Sequence, residues 1–167
     1  VPPSRATELF TEVPPFVTTV LVTMPDSLTK AGELVELIRP DAIQIHAGLT
    51  PDEIRTLAGE GPTTIAAVDH DDTAIEAYAD AADALLVDST DEEGGGGTGR
   101  THDWSETRSL DRLDVPLILA GGLTPGNVAE AVETVDPYAV DVASGVEAEP
   151  GRKAPELVDQ FVERARG

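Results

Sequence analysis

Cysteine is absent from the 167 residues, which excludes a disulfide framework and any thiolate metal site. Basic residues are scarce: eleven Lys and Arg stand against thirty-two Asp and Glu, a net charge of -21. Only Lys30 and Lys153 are lysines. Phosphate-backbone binding depends on basic neutralisation, so the balance argues against nucleic acid and against anionic membranes as partners. Apolar runs near the roughly 20 residues needed to span a bilayer are missing, and nothing at the start reads as a signal peptide. A soluble, cytoplasmic protein is the expectation. No HExxH, Walker, dinucleotide or nucleophile-elbow motif is present, which removes metalloprotease, NTPase, NAD and serine-hydrolase readings.

What is present is a folded pattern. High acidity alone can mean disorder, but 40% of the residues are hydrophobic and fall into regular short runs. A length of 167 residues suits a single domain. The acidity then reads as the coat of a folded protein in a very salty cytoplasm, where the Debye length is about 3 Å at 1 M salt.

The runs alternate in kind. Strands are expected at Val17–Met24, Ala42–His46, Thr63–Val68, Ala84–Asp88, Pro116–Ala120 and Ala139–Ala143, each apolar at nearly every position, as parallel strands buried on both faces are. Helices are expected at Ala6–Val13, Ser27–Ile38, Pro51–Gly59, Asp72–Ala82, Ser105–Leu113, Pro125–Val135 and Pro155–Arg166. Thr50-Pro51 and Thr124-Pro125 each offer a hydroxyl N-cap with proline in the first turn, and Asp71 or Asp72 offers another cap. Repeated βαβ units mean a parallel sheet. Periodicity leaves open an open doubly wound sheet or most of an eight-stranded barrel.

Ligands of such proteins bind beyond the carboxyl ends of the strands. Those ends read Gln44-Ile45-His46, Ala67-Val68-Asp69, Leu86-Val87-Asp88, Ala120-Gly121-Gly122 and Ala143-Ser144-Gly145. Asp88 closes a wholly apolar strand, where desolvation would raise a carboxyl pKa and suit a general acid; a helix cap or a loop hydrogen bond is the structural alternative. Gly94–Gly97, Thr98 and Gly99 follow, in a loop whose backbone can approach a ligand closely. Gly121-Gly122 and Ser144-Gly145 close consecutive strands, where exposed N–H groups make an anion site without cationic side chains. His46 reads as a substrate ligand, a base or a residue satisfying hydrogen bonds at the mouth. His46, His70 and His102 form no metal-ligand spacing, and Trp104 reads as packing rather than chemistry.

Several blocks then resemble one family in order and spacing: Pro3-Ser4-Arg5, Val13-Pro14-Pro15-Phe16-Val17, Asp41-Ala42-Ile43-Gln44-Ile45-His46, Leu85-Leu86-Val87-Asp88, Gly96-Gly97-Thr98-Gly99 and Asp103-Trp104. Leu119-Ala120-Gly121-Gly122-Leu123-Thr124-Pro125-Gly126-Asn127-Val128, Val140-Asp141-Val142-Ala143-Ser144-Gly145-Val146-Glu147 and Pro150-Gly151-Arg152-Lys153 complete the match, and the first two of these are highly specific. The chain resembles phosphoribosylanthranilate isomerase of tryptophan biosynthesis, in a haloarchaeal form.

That resemblance implies an α/β fold of the TIM (βα)8-barrel type, with about six strands and their helices in residues 1–167 as one domain. It implies a cofactor-free Amadori rearrangement of N-(5-phosphoribosyl)anthranilate to 1-(2-carboxyphenylamino)-1-deoxyribulose 5-phosphate, by a monomer or homodimer whose partner is its small phosphorylated substrate. Carried over by motif, Asp88 is the general acid that protonates the ring oxygen. Arg5, His46, Gly97, Thr98 and Gly99 would bind substrate; Gly121, Gly122, Ser144 and Gly145 would hold the phosphate; no metal is implied. The family pattern opens with a strand bearing Lys-Ile-Cys-Gly-Ile-Thr, whose cysteine is the general base. That strand, a helix and a second strand are expected upstream of Val1, in roughly 40 residues of ordinary element length. Further departures are Ala47 after Gln44-Ile45-His46, Ala66-Ala67-Val68 where the family has Lys-Ala-Val, and the acidic run Asp91-Glu92-Glu93. The competing readings are another ribulose-phosphate barrel enzyme and a non-catalytic phosphate-binding relative. Indole-glycerol-phosphate synthase would need lysine and glutamate at strand ends, and both lysines lie elsewhere.

Overall fold

The computed structural model describes residues 1–88 and 104–167. The elements are α1 (Pro3–Glu12), β1 (Val20–Thr23), α2 (Leu28–Ile38), β2 (Ala42–Ile45), α3 (Pro51–Glu60), β3 (Thr63–Asp69), α4 (Ile75–Ala79) and β4 (Ala84–Asp88). Then come α5 (Trp104–Arg108), β5 (Leu117–Ala120), α6 (Val128–Val135), β6 (Ala139–Val140), β7 (Glu147–Glu149), β8 (Arg152–Lys153) and α7 (Pro155–Arg166). Single 3-10 turns occupy Ser109–Arg112 and Ser144–Val146. Strands β1 to β6 follow one another in sequence order in one sheet, and β7 pairs antiparallel with β8. The chain divides into two compact units: residues 1–68 with 72–85, and residues 69–71 with 86–167.

In the first unit β1 pairs parallel with β2, and β2 with β3, in registers Val20↔Ala42 and Ala42↔Thr63. All four residues of β2 are buried, as a parallel strand covered on both faces requires. Its core gathers Leu21, Ala31, Ile43, Ile45, Ile54 and Leu57. Polar locks at the strand starts fix the register. The Asp41 carboxylate accepts from the Thr19 N–H at 2.8 Å and from its hydroxyl at 2.7 Å. Asp83 likewise accepts from the Thr64 N–H at 2.8 Å. The first strand is shorter than the run Val17–Met24 because Phe16 turns the chain at φ 73 and Thr19 spends its donors on Asp41.

Helix starts follow the capping chemistry, with two corrections. Thr50 and Glu53 form the reciprocal capping box of α3, and Ser27 caps α2. Thr124-Pro125 stands one turn ahead of α6: the Thr124 hydroxyl accepts from the Gly126 N–H at 3.1 Å and its carbonyl from the Val128 N–H at 3.1 Å, but the regular helix starts later than Pro125. The Asn127 amide accepts from the Thr124 N–H at 2.7 Å and donates to the Gly122 carbonyl at 3.1 Å, so residues 122–127 form a turn and the helix begins at Val128. Asp72 takes the Ala74 N–H in a side-chain turn, which delays α4 to Ile75.

In the second unit β5 pairs parallel with β6 through Ile118↔Ala139 and Leu119↔Val140. The run Ala139–Ala143 yields only a two-residue strand, since the ladder passes one further bond from the Asp141 N–H to the Leu119 carbonyl before the chain turns at Ser144. Trp104, Leu119, Val128, Ala131, Val146 and Phe161 make the core. Trp104 is therefore a packing residue, and its indole Nε1 finds no partner among the described residues. Helix α7 is tied back by the Arg164 guanidinium, which donates to the Pro125 carbonyl at 2.6 Å.

Candidate active site

The carboxyl ends of the strands carry the polar residues. In the first unit, β2 ends with Gln44 and His46 two residues apart, so both side chains leave the same face of the strand. Gln44 is 6% exposed, and its Nε2 lies 2.6 Å from His46 Nε2. Arg5 sits in the first turn of α1, half exposed, and its guanidinium meets Glu8 at 2.7 Å.

In the second unit the ends of β4, β5 and β6 are consecutive in the sheet. Asp88 closes β4, half-buried, after Ala84, Leu85, Leu86 and Val87, which are all buried. Gly121 and Gly122 follow β5 at φ 86 and φ 61, left-handed values that glycine adopts without strain. Gly145 follows β6 and stands hard against the β5 loop: a Cβ there would fall 1.8 Å from the Leu123 carbonyl oxygen. The two glycine turns are thus stacked backbone on backbone, which only a residue without a side chain permits.

The hairpin β7–β8 braces the second of these turns. Lys153 Nζ donates to the Ala143 carbonyl at 2.6 Å and to Glu147 Oε1 at 2.8 Å. The Glu147 carboxyl is held below its ordinary range by the Lys153 hydrogen bond and by the Gly151 N–H. In the same unit, His70 Nε2 and a Glu106 carboxylate oxygen lie 3.1 Å apart.

Of the residues singled out in the sequence, the structure sets Gly121, Gly122, Ser144 and Gly145 side by side, and puts Asp88 on the adjoining strand end. Gly97, Thr98 and Gly99 lie outside the described residues. Asn127 and Lys153, which hold the two turns in place, were visible only as members of motifs; the Pro150-Gly151 pair was the available signal for the hairpin. Among the described residues no helix is long and apolar enough to cross a membrane.

Parallel strands alternating with helices, with polar or glycine residues at their carboxyl ends, define an α/β protein. The model of the N-(5'-phosphoribosyl)anthranilate isomerase family matches residues 1–164. The isomerase of Haloarcula marismortui is 57% identical over 156 residues, covering 92% of this chain and 73% of that protein. The crystal structure of the Thermotoga maritima enzyme superposes with a TM-score of 0.88 at 32% identity, covering all of this chain and 82% of that one. A further isomerase structure, in complex with reduced 1-(o-carboxyphenylamino)-1-deoxyribulose 5-phosphate, gives 0.84 at 30% identity, covering all of this chain and 80% of that one. The chain belongs to the phosphoribosylanthranilate isomerase family, and its fold is of the α/β TIM-barrel class.

Proposed function

We propose that this protein isomerises N-(5'-phosphoribosyl)anthranilate to the 1-deoxyribulose product, as a cytoplasmic enzyme with Asp88 as general acid. The observation that carries the assignment is the place of Asp88: a carboxyl group at the open end of a strand whose other four residues are buried, beside two glycine turns. Its proton passes to the furanose ring oxygen, the bond from that oxygen to C1 breaks, and the aniline nitrogen lone pair forms the C=N bond. Loss of the proton on C2 gives an enaminol that tautomerises to the ketone. C1 is reduced as C2 is oxidised, so the rearrangement balances internally and calls for no cofactor. The acceptor of the C2 proton is assigned to no residue of this chain.

The remaining roles follow from charge and shape. Backbone N–H groups at Gly121, Gly122, Ser144 and Gly145 suit a phosphate in a protein this acidic, because they add donors without cationic side chains. Arg5 offers a guanidinium for the anthranilate carboxylate; an exposed pair such as Arg5–Glu8 is worth about 0–1 kcal/mol, so a bidentate ligand displaces it. His46, beside Gln44, lines the substrate wall, and the family motif makes Gly97, Thr98 and Gly99 substrate ligands. Asp88→Asn in the natural enzyme is expected to lower kcat by at least about 100-fold, the scale of losing a general acid. Steady-state turnover within a few fold of the parent would remove Asp88 from the mechanism.

A further inference from the structure

The hairpin β7–β8 ends at one of only two lysines in a chain with thirty-two acidic residues. Lys30, the other, makes an exposed pair with Glu33 one helical turn away at 2.9 Å. Lys153 does something different. Its ammonium is held between the Glu147 carboxylate, 18% exposed, and the carbonyl of Ala143. Glu147 is itself fixed by the Gly151 N–H at 3.0 Å, at the hairpin tip where Gly151 has φ 80. The hairpin register, Glu147↔Lys153 and Glu149↔Arg152 with an irregularity between, sets the lysine opposite its carboxylate.

The Ala143 carbonyl belongs to the peptide that continues into Ser144. A trans peptide is planar, so its C=O and N–H point in opposite directions. A lysine that anchors the oxygen on the hairpin side therefore turns the Ser144 N–H to the other side. Beyond Ser144, Gly145 is packed against the Leu123 backbone. The turn is gripped from one side by an ammonium and from the other by the loop that carries Gly121 and Gly122.

We propose that Lys153 is a positioning residue for the phosphate grip: from behind the site it orients the Ala143–Ser144 peptide and holds the two glycine turns in register, without touching the ligand. The proposal rests on the phosphate reading given above. A compact ammonium with three donors serves two oxygens at once, which a planar guanidinium does with a different geometry.

The test uses the natural enzyme and inorganic phosphate as a competitor of the phosphorylated substrate. Lys153→Met is expected to raise KM and the phosphate inhibition constant together, each about tenfold, the scale of a lost charge-assisted hydrogen bond. kcat is expected to stay within about threefold, and Lys153→Arg to recover part of the lost affinity, since an uncoupled structural role would not split KM from kcat in this way. If Lys153→Met fails to fold, Lys153→Gln, which keeps an amide donor, carries the same measurement. Unchanged KM and phosphate inhibition in a folded variant would overturn the role of Lys153 alone. If phosphate does not compete in the parent enzyme, the phosphate assignment fails and this proposal falls with it.

Discussion

At Gly145 the space for a side chain is already filled by backbone. A Cβ would sit 1.8 Å from the Leu123 carbonyl oxygen and 3.3 Å from the Thr124 Cα, and neither atom is the free end of a flexible side chain. Gly145→Ala is therefore expected to cost about 3 kcal/mol, lowering the melting temperature on the order of 10 °C. Gly126 is the internal control: a Cβ there meets the Thr124 hydroxyl at 3.5 Å, ordinary contact, so Gly126→Ala should melt close to the parent. Equal melting temperatures for the two variants would show that the loops separate freely. The contrast matters for the site, since the same close approach that makes Gly145 irreplaceable brings the two candidate phosphate turns together.

Among the elements, α3 shows how a short motif becomes a measurable cap. Thr50 Oγ1 accepts from the Glu53 N–H at 3.4 Å, and Glu53 Oε2 accepts from the Thr50 N–H at 2.8 Å. The Thr50 N–H first, and then the Thr50 hydroxyl, which donates to Glu53 Oε2 at 2.8 Å, hold the Glu53 pKa below its ordinary 4.5. A lowered folded-state pKa adds stability that is present above the ordinary value and is lost as the pH falls through the lowered one. Thr50→Ala is expected to destabilise by about 1 kcal/mol at neutral pH. It should also move the Glu53 titration, followed by carboxyl NMR, part of the way back toward 4.5, because the hydroxyl donor is lost while the backbone N–H remains; an unmoved titration would leave the N–H as the sole cause. Such caps were legible in the sequence because they are local, and the centres of the strands were legible because burial on both faces demands unbroken apolar runs. Strand ends were not. Where β6 stops depends on what β5 offers across the ladder, and the Thr124 turn depends on Asn127 reaching back to Gly122. The candidate site divided in the same way: the strand-end positions of Asp88 and the glycine pairs were legible from the apolar runs before them, whereas Lys153 on a polar hairpin looked like any surface cation.

Over the whole molecule, a net charge of -21 on 167 residues makes self-repulsion a large term. The Debye length shrinks from about 10 Å at 0.1 M salt to about 3 Å at 1 M, so neighbouring surface carboxylates cease to feel one another only in concentrated salt. The melting temperature is expected to rise on the order of 10 °C between dilute buffer and molar KCl. A protein that melts at the same temperature in both would not owe its composition to salt. The carboxylate coat also has a boundary. Arg108, Lys153 and Arg164 donate to the carbonyls of Thr134, Ala143 and Pro125 at 2.7, 2.6 and 2.6 Å. A carboxylate in any of these places would set oxygen against oxygen, an error that no concentration of external ions corrects at such range. The ceiling on how acidic this chain can become is therefore set by backbone carbonyls that need a donor, and not by the total charge the surface can carry.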